Sequence, residues 1–332
     1  MKKVSIIATM MFVTAMLILS GCGSSESNGN GKEDEMIVIG VTQIVEHPSL
    51  DAAFEGFKEA LEENGYKEGD NIEYDVQNAQ NDPNNNSTIA KKFVGDKVDM
   101  IFANSTPSAQ SVLNATKDIP IVFTSVTDPV GAELVAALDQ PGENITGTTD
   151  THPEAISKTV SFMVNEIGAK KIGVVYNSGE QNSSVQVKEV KKIVEENGGE
   201  LIEVSVAQSA EVKQAVDSLV GRVDAIYMPT DNTVVSALDS LIAVANDKDI
   251  PLFAGELDSM KRGAFAASGF NYKDLGYQTG LMAVELLNGD KKPSELEVGY
   301  PESFELVVNK EAAKEQGIEM DDSWEVEVFE GE

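Results

Sequence analysis

Residues 39–41 read Ile39-Gly40-Val41, and the triplet returns as Ile172-Gly173-Val174. Outward from it, Glu63-Asn64-Gly65 recurs as Glu196-Asn197-Gly198, and Ile72-Glu73 with Val76 recurs as Ile202-Glu203 with Val206. Val98-Asp99-Met100-Ile101 recurs as Val223-Asp224-Ala225-Ile226, and Asp118-Ile119-Pro120-Ile121 as Asp249-Ile250-Pro251-Leu252. The offset stays between 125 and 133 residues, so the order of elements is preserved. A repeat of this length predicts two similar lobes, each with its own core. The total of 332 residues agrees, at roughly 100–200 residues per domain.

The segments around these signatures alternate between short β-branched runs and runs of helical period. Strands are expected at 36–42, 71–76, 98–103, 119–124, 171–176, 201–206, 223–228 and 250–254. Leu50, Phe54, Phe57 and Leu61 form one buried helical stripe, and Leu275, Thr279, Met282 and Leu286 form another. Strands alternating with helices predict an α/β fold, a parallel sheet covered on both faces in each lobe. A hinge is expected near residues 146–151.

Composition narrows the function. Lys and Arg number 25 against 56 Asp and Glu, a net charge of −31. That excludes a nucleic-acid binder, whose affinity comes from cations replacing counterions on phosphates, and a polybasic membrane-surface protein. The single cysteine excludes an intramolecular disulfide and a cysteine-based metal centre. There is no G-x-S-x-G elbow, H-E-x-x-H, P-loop or G-x-G-x-x-G after a strand, and two histidines leave little for a triad. Nothing points to an enzyme, a cofactor or a metal.

The N-terminus reads as an address and an anchor. Lys2 and Lys3 precede an apolar run, Val4 to Leu19, too short for a spanning helix and suited to a signal peptide. It ends in Leu19-Ser20-Gly21-Cys22, which resembles the bacterial lipobox. Cleavage after residue 21 would leave a diacylglyceryl-modified Cys22 as the first residue, with two acyl chains as a stable membrane anchor. Loss of the two lysines takes the charge from −31 to −33. Residues 23–35, GSSESNGNGKEDE, contain no apolar side chain and read as a flexible tether. The folded part is expected on the outer face of the cytoplasmic membrane.

In open parallel sheets, ligands bind beyond the carboxyl ends of the strands. Two such lobes can turn those edges toward a shared cleft. The strand-end residues are polar. Gln43 and His47 follow the first strand, Ser105 and Thr106 the third, and Ser125, Thr127 and Asp128 the fourth. In the second half the equivalents are Tyr176, Asn177, Asn182 and Ser183, then Thr230, Asp231 and Asn232, then Glu256. Ser105, Thr106, Asn182 or Ser183 could hold a ligand carboxylate at helix N-termini, and Asp128, Asp231 or Glu256 an ammonium group. Most of these residues also read simply as helix caps, as in Thr106-Pro107 and Asp128-Pro129. Phe102, Phe123, Tyr227 and Phe253 read as sheet core, Trp324 as structural, and His152-Pro153 as a helix start.

These residues carry a resemblance. Residues 39–58, 119–136, 141–148, 251–257 and 263–281, with Thr127-Asp128-Pro129-Val130 and Asn144-Ile145-Thr146-Gly147 the more specific, resemble the substrate-binding lipoproteins of bacterial ABC importers, in the group for tryptophan or tyrosine uptake. The resemblance implies two Rossmann-like lobes joined by three crossings, with a small ligand, an amino acid such as tryptophan or tyrosine, closed between them. It implies a permease and an ATPase as partners, and a monomer. Residues 36–148 with about 270–298 would form the first lobe, and 149–269 with about 299–332 the second. The helix 274–287 would return to the first lobe and the segment near 304–308 to the second. Another small solute such as a sugar or nucleoside, a surface hydrolase and a ligand sensor remain as alternative readings.

Overall fold

The computed structural model describes residues 36–301 and 304–331. The signal peptide, tether and Cys22 anchor expected from the sequence lie outside the described residues.

The first half runs β1 (Ile37–Gln43), α1 (Pro48–Glu63), β2 (Ile72–Asn78), α2 (Pro83–Asp96), β3 (Met100–Asn104), α3 (Thr106–Ala115), β4 (Ile121–Val126) and β5 (Ile145–Thr149). Its sheet has the order β2-β1-β3-β4-β5, all parallel. The second half runs α4 (Ala155–Asn165), β6 (Lys171–Asn177), α5 (Gln181–Glu196), β7 (Glu200–Val206), α6 (Val212–Asp217), β8 (Ala225–Met228), α7 (Asn232–Val235), α8 (Leu238–Lys248), β9 (Leu252–Ala254), α9 (Leu257–Arg262) and β10 (Ala266–Gly269). The chain then forms α10 (Tyr272–Leu287), β11 (Glu305–Asn309), α11 (Lys310–Glu315) and β12 (Glu327–Phe329). The second sheet has the order β12-β11-β10-β9-β8-β6-β7, parallel except between β10 and β11.

Within these sheets β2-β1-β3-β4 and β7-β6-β8-β9 match strand for strand, and the repeated residues do the same work in both. A Cβ on Gly40 would lie 2.8 Å from the Phe93 ring, and one on Gly173 2.8 Å from Leu219. A side chain of α2 in the first lobe, and one from the turn after α6 in the second, therefore seats directly on the second residue of the repeated triplet. Asp99 Oδ2 accepts from Val38 N at 2.8 Å, and Asp224 Oδ2 accepts from Lys170 N and Lys171 N at 2.8 Å, tying neighbouring strand starts together. Asn64 and Asn197 cap α1 and α5, each amide donating to a carbonyl four residues back, and Gly65 and Gly198 follow at φ 92° and 76°. That left-handed step stops a helix where glycine has no Cβ to clash.

Four strands were not expected as such: β5, β10, β11 and β12. β5 reads Ile-Thr-Gly-Thr-Thr and β10 Ala-Ala-Ser-Gly, without the branched apolar run that marks a central strand. The expected hinge at 146–151 is mostly strand: β5 extends to Thr149, and a Cβ on Gly147 would lie 2.0 Å from the Phe123 carbonyl oxygen. The chain leaves the first sheet only at Asp150. α10 packs along α1 and against β4 and β5, while β11 pairs with β10. Phe102, Phe123 and Phe253 are fully buried, Tyr227 nearly so, and Trp324 packs edge-on against Phe162 at 5.1 Å. Among the described residues no helix is long and apolar enough to cross a membrane.

Candidate functional site

The two sheets turn their carboxyl ends toward each other. Ser49 Oγ, in the first turn of α1, donates to Glu256 Oε2 at 2.9 Å across the gap. Around this contact lies a small cavity lined by His47, Ser49, Leu50, Ser125, Asp150, Asn182, Thr230, Asn232, Glu256 and Tyr272, among others.

Its wall is chemically unfinished. His47 Nδ1, Ser125 Oγ, Asp150 Oδ1 and Asn182 Oδ1 are all buried without a hydrogen-bond partner. One such group costs about 1–3 kcal/mol, so four around one cavity mark a place built to receive something polar. Asp150 is partly buried: its unpartnered oxygen is closed off from solvent, and its other oxygen accepts from the Tyr272 hydroxyl at 2.9 Å. Burial holds this carboxyl above the usual carboxylate range. His47 stands at the N-cap of α1 without a capping bond, and burial lowers it to about 4, leaving it neutral. Ser49 and Leu50 lie in the first turn of α1, where backbone N–H groups have no carbonyl inside the helix.

A second cavity of about 410 Å3 shares Asp150 and Thr230 with the first. Its lining is mostly apolar, including Val130, Leu138, Ile156, Val185, Tyr227 and Phe270, with Thr127, Asp128, Gln186 and Ser268 among the polar residues. Among the described residues, no Lys or Arg lines either cavity. An anionic ligand would meet carboxylates and no balancing cation, whereas a zwitterion would find an acid for its ammonium and neutral donors for its carboxylate.

The structure brings His47, Ser125, Asn182, Thr230, Asn232 and Glu256 to the small cavity, and Thr127 and Asp128, with Thr230, to the larger. The other expected residues line neither. Gln43 is spent on Val45 O and Asp51 and accepts from Asn104. Ser105 is the residue before α3, at φ 98°, so it and not Thr106 holds the cap position, and its hydroxyl faces Ser108. The Thr106 hydroxyl is buried and unpartnered away from both cavities. The Tyr176 hydroxyl donates to Glu203 on the outer strand β7. Asn177 donates to Thr233, and Ser183 is buried beside Asp231.

The three expected ammonium partners fare differently. Asp231 caps α7 through Val234 N at 2.8 Å and accepts from Asn177 N at 2.5 Å; burial and the neighbouring Glu180 raise it to about 7. Glu256 accepts from Asp258 N at 2.7 Å, from Ser259 N and from Ser49. Asp128 accepts from Gly131 N and, at 3.4 Å, from Gln181, closing a turn and not a helix. Among the described residues lining the small cavity, Asp150 has a carboxylate oxygen without a partner; it follows β5, whose Ile-Thr-Gly-Thr-Thr run does not read as a strand, so the strand-end rule does not reach it. Its partner Tyr272 opens α10, on a second crossing far away in sequence.

Residues 38–331 match the family described as ABC transporter substrate binding protein. A tyrosine-binding protein from Clostridioides difficile (strain R20291) is 46% identical over 309 residues, 91% of this chain and 89% of its own. A solved ABC domain in complex with L-Trp from Streptococcus pneumonia superposes with a TM-score of 0.82 at 34% identity, covering 87% of this chain and 97% of that one. The ligand-free, open structure of a substrate-binding protein with adhesive properties from Clostridium difficile gives 0.65 at 44% identity, covering 90% and 100%.

Proposed function

Because the chain belongs to the ABC transporter substrate-binding protein family, we propose that it captures an aromatic L-amino acid, tyrosine or tryptophan, between its lobes and delivers it to a permease–ATPase complex. Members of this family bind solutes and are not enzymes. The observation that carries the amino-acid reading is the free, fully buried Asp150 oxygen at the junction of a polar and an apolar cavity. Asp150 takes the ammonium group. The Ser125 hydroxyl and the first turn of α1 take the carboxylate by neutral hydrogen bonds. The side chain extends past Thr230 into the larger cavity. The name of the C. difficile relative and the L-Trp in the S. pneumonia structure support the choice of ligand.

Capture works through lobe closure. Only the closed arrangement presents residues of both lobes to the ligand at once, so the ligand shifts the population toward it. The more identical open structure superposes less well than the L-Trp complex, as two rigid lobes rotated apart would do, which supports reading the present arrangement as closed. On the same proposal, residues 1–21 are a signal peptide, Cys22 carries the lipid, and residues 23–35 let the folded part work on the outer face of the membrane.

Calorimetry with L-tyrosine and L-tryptophan on the wild type and on Asp150→Asn tests the reading. At least one amino acid binds the wild type, and the variant, folded by circular dichroism, binds it about tenfold or more weakly. Heat from a sugar or nucleoside and none from any aromatic amino acid overturns it.

A further inference from the structure

We infer that the larger cavity is the ring subsite of this binding site and that Ser268 sets its specificity, selecting rings that carry a hydrogen-bonding atom, a phenol or an indole, over an unsubstituted phenyl. The inference rests on the aromatic amino-acid reading and goes beyond it by assigning the residue that tells one ring from another.

Space comes first. The polar cavity around Asp150 is too small for a ring, whereas the adjoining cavity of about 410 Å3 has the size and the apolar walls of a small-molecule pocket. The two meet at Asp150 and Thr230. A ligand whose ammonium is on Asp150 therefore has one apolar space within reach of its side chain. Val130, Leu138 and Tyr300 at that cavity are among the few large apolar side chains left exposed on the described surface.

The polar content of the larger cavity is the second point. Most of it is already committed. The Thr159 hydroxyl donates to Ala155 O at 3.1 Å, and the Gln186 amide donates to the hydroxyls of Thr127 and Thr230. Ser268 is different: it is 2% exposed and its Oγ has no partner, whereas the Glu189 side chain that also lines the cavity is exposed to solvent. Its strand explains why. β10 reads Ala-Ala-Ser-Gly, so no neighbour along the strand has a side chain that could reach the hydroxyl. Alternation puts Ser268 on the same face as Ala266, the face covered by α4 and shared with Tyr227. A hydroxyl held there serves no fold contact, and it can donate to a phenol oxygen or accept from a phenol O–H or an indole N–H.

A phenyl ring would cover Ser268 and leave it unpaired, so a site built this way rejects the analogue lacking the polar atom. Calorimetric titration of L-Tyr, L-Trp and L-Phe into wild type and Ser268→Ala tests this. The wild type is expected to prefer Tyr or Trp over Phe by about tenfold or more, and S268A to bring the ratio to about threefold or less. If S268A keeps the wild-type ratio, the assignment falls while the aromatic-binder reading stands. If none of the three binds the wild type, both fall. Ile156→Trp, which fills the larger cavity, carries the test should S268A not fold. Loss of all aromatic amino acids supports the ring subsite, and retention at wild-type affinity overturns it.

Discussion

Asn81 Nδ2 donates to Thr233 Oγ1 at 2.7 Å, joining the loop after β2 to the start of α7 without lining either cavity. The same threonine hydroxyl accepts from Asn177 Nδ2 at 2.9 Å and donates to Glu180 Oε1 at 2.7 Å, so its capacity is filled. Asn81 and Gln80 both sit in left-handed backbone, at φ 58° and 55°, with Asn81 N held by Ile44 O at 2.7 Å. Asparagine tolerates that region better than most residues. The first lobe thus holds a loop in an unusual conformation, and the loop's side chain finds its partner only in the other lobe.

On the proposed closure, that pair stabilises the closed arrangement whatever the ligand. Asn81→Ala is expected to weaken binding of every ligand by a similar factor, about three- to tenfold, with the order of preference unchanged. Calorimetry reads the affinity and small-angle scattering reads a shift toward more open particles at partial saturation. Unchanged affinity would remove the latch.

His47 makes stability depend on pH. Burial lowers it from 6.5 to about 4 in the folded chain. Between those values the unfolded chain holds the proton and the folded chain does not. Stability from this group is therefore full above about pH 6.5 and falls as pH drops toward 4, by at most about 3 kcal/mol. Asp150 and Glu256, both raised by burial, act in the opposite direction, because the folded state takes up their protons first as pH falls. His47→Gln should therefore lose less stability than wild type between pH 7 and 5 in urea titrations. Parallel losses in the two proteins would show that His47 is not the sensor.

The contact between α1 and α10 has no room for a side chain at its closest points. A Cβ on Gly276 would lie 1.8 Å from Ala53 O, and one on Gly56 1.9 Å from Lys273 O. Gly276→Ala is expected to cost about 2 kcal/mol or more by forcing the helices apart. Because α10 begins with Tyr272, the partner of Asp150, ligand binding should weaken as well. Thermal unfolding and calorimetry on one variant check both, and wild-type stability would contradict the packing argument.

Much of the fold was readable in the chain because its signals are local. Gly40 and Gly173, Asp99 and Asp224, and Asn64 and Asn197 each do a job that depends on residues of their own lobe, so the repeat shows in the primary structure. The strand-end rule found His47, Ser125, Asn182, Thr230, Asn232 and Glu256 at the small cavity because carboxyl ends of parallel strands lie along one edge. Gln43, Asn177 and Asp231, which the same rule also selects, line neither cavity and close loops and caps, since a cap and a ligand contact call for the same residue types.

Alternation, repetition and polar strand ends, all written in the order of residues, determined two α/β lobes with a cleft between them. Only the tertiary structure decided which polar groups remain free in that cleft. Asp150 meets Tyr272, Ser49 meets Glu256 and Asn81 meets Thr233 across separations of 122, 207 and 152 residues. A side chain's hydrogen-bonding capacity is used up or left over according to what distant segments bring to it, and no local pattern records that.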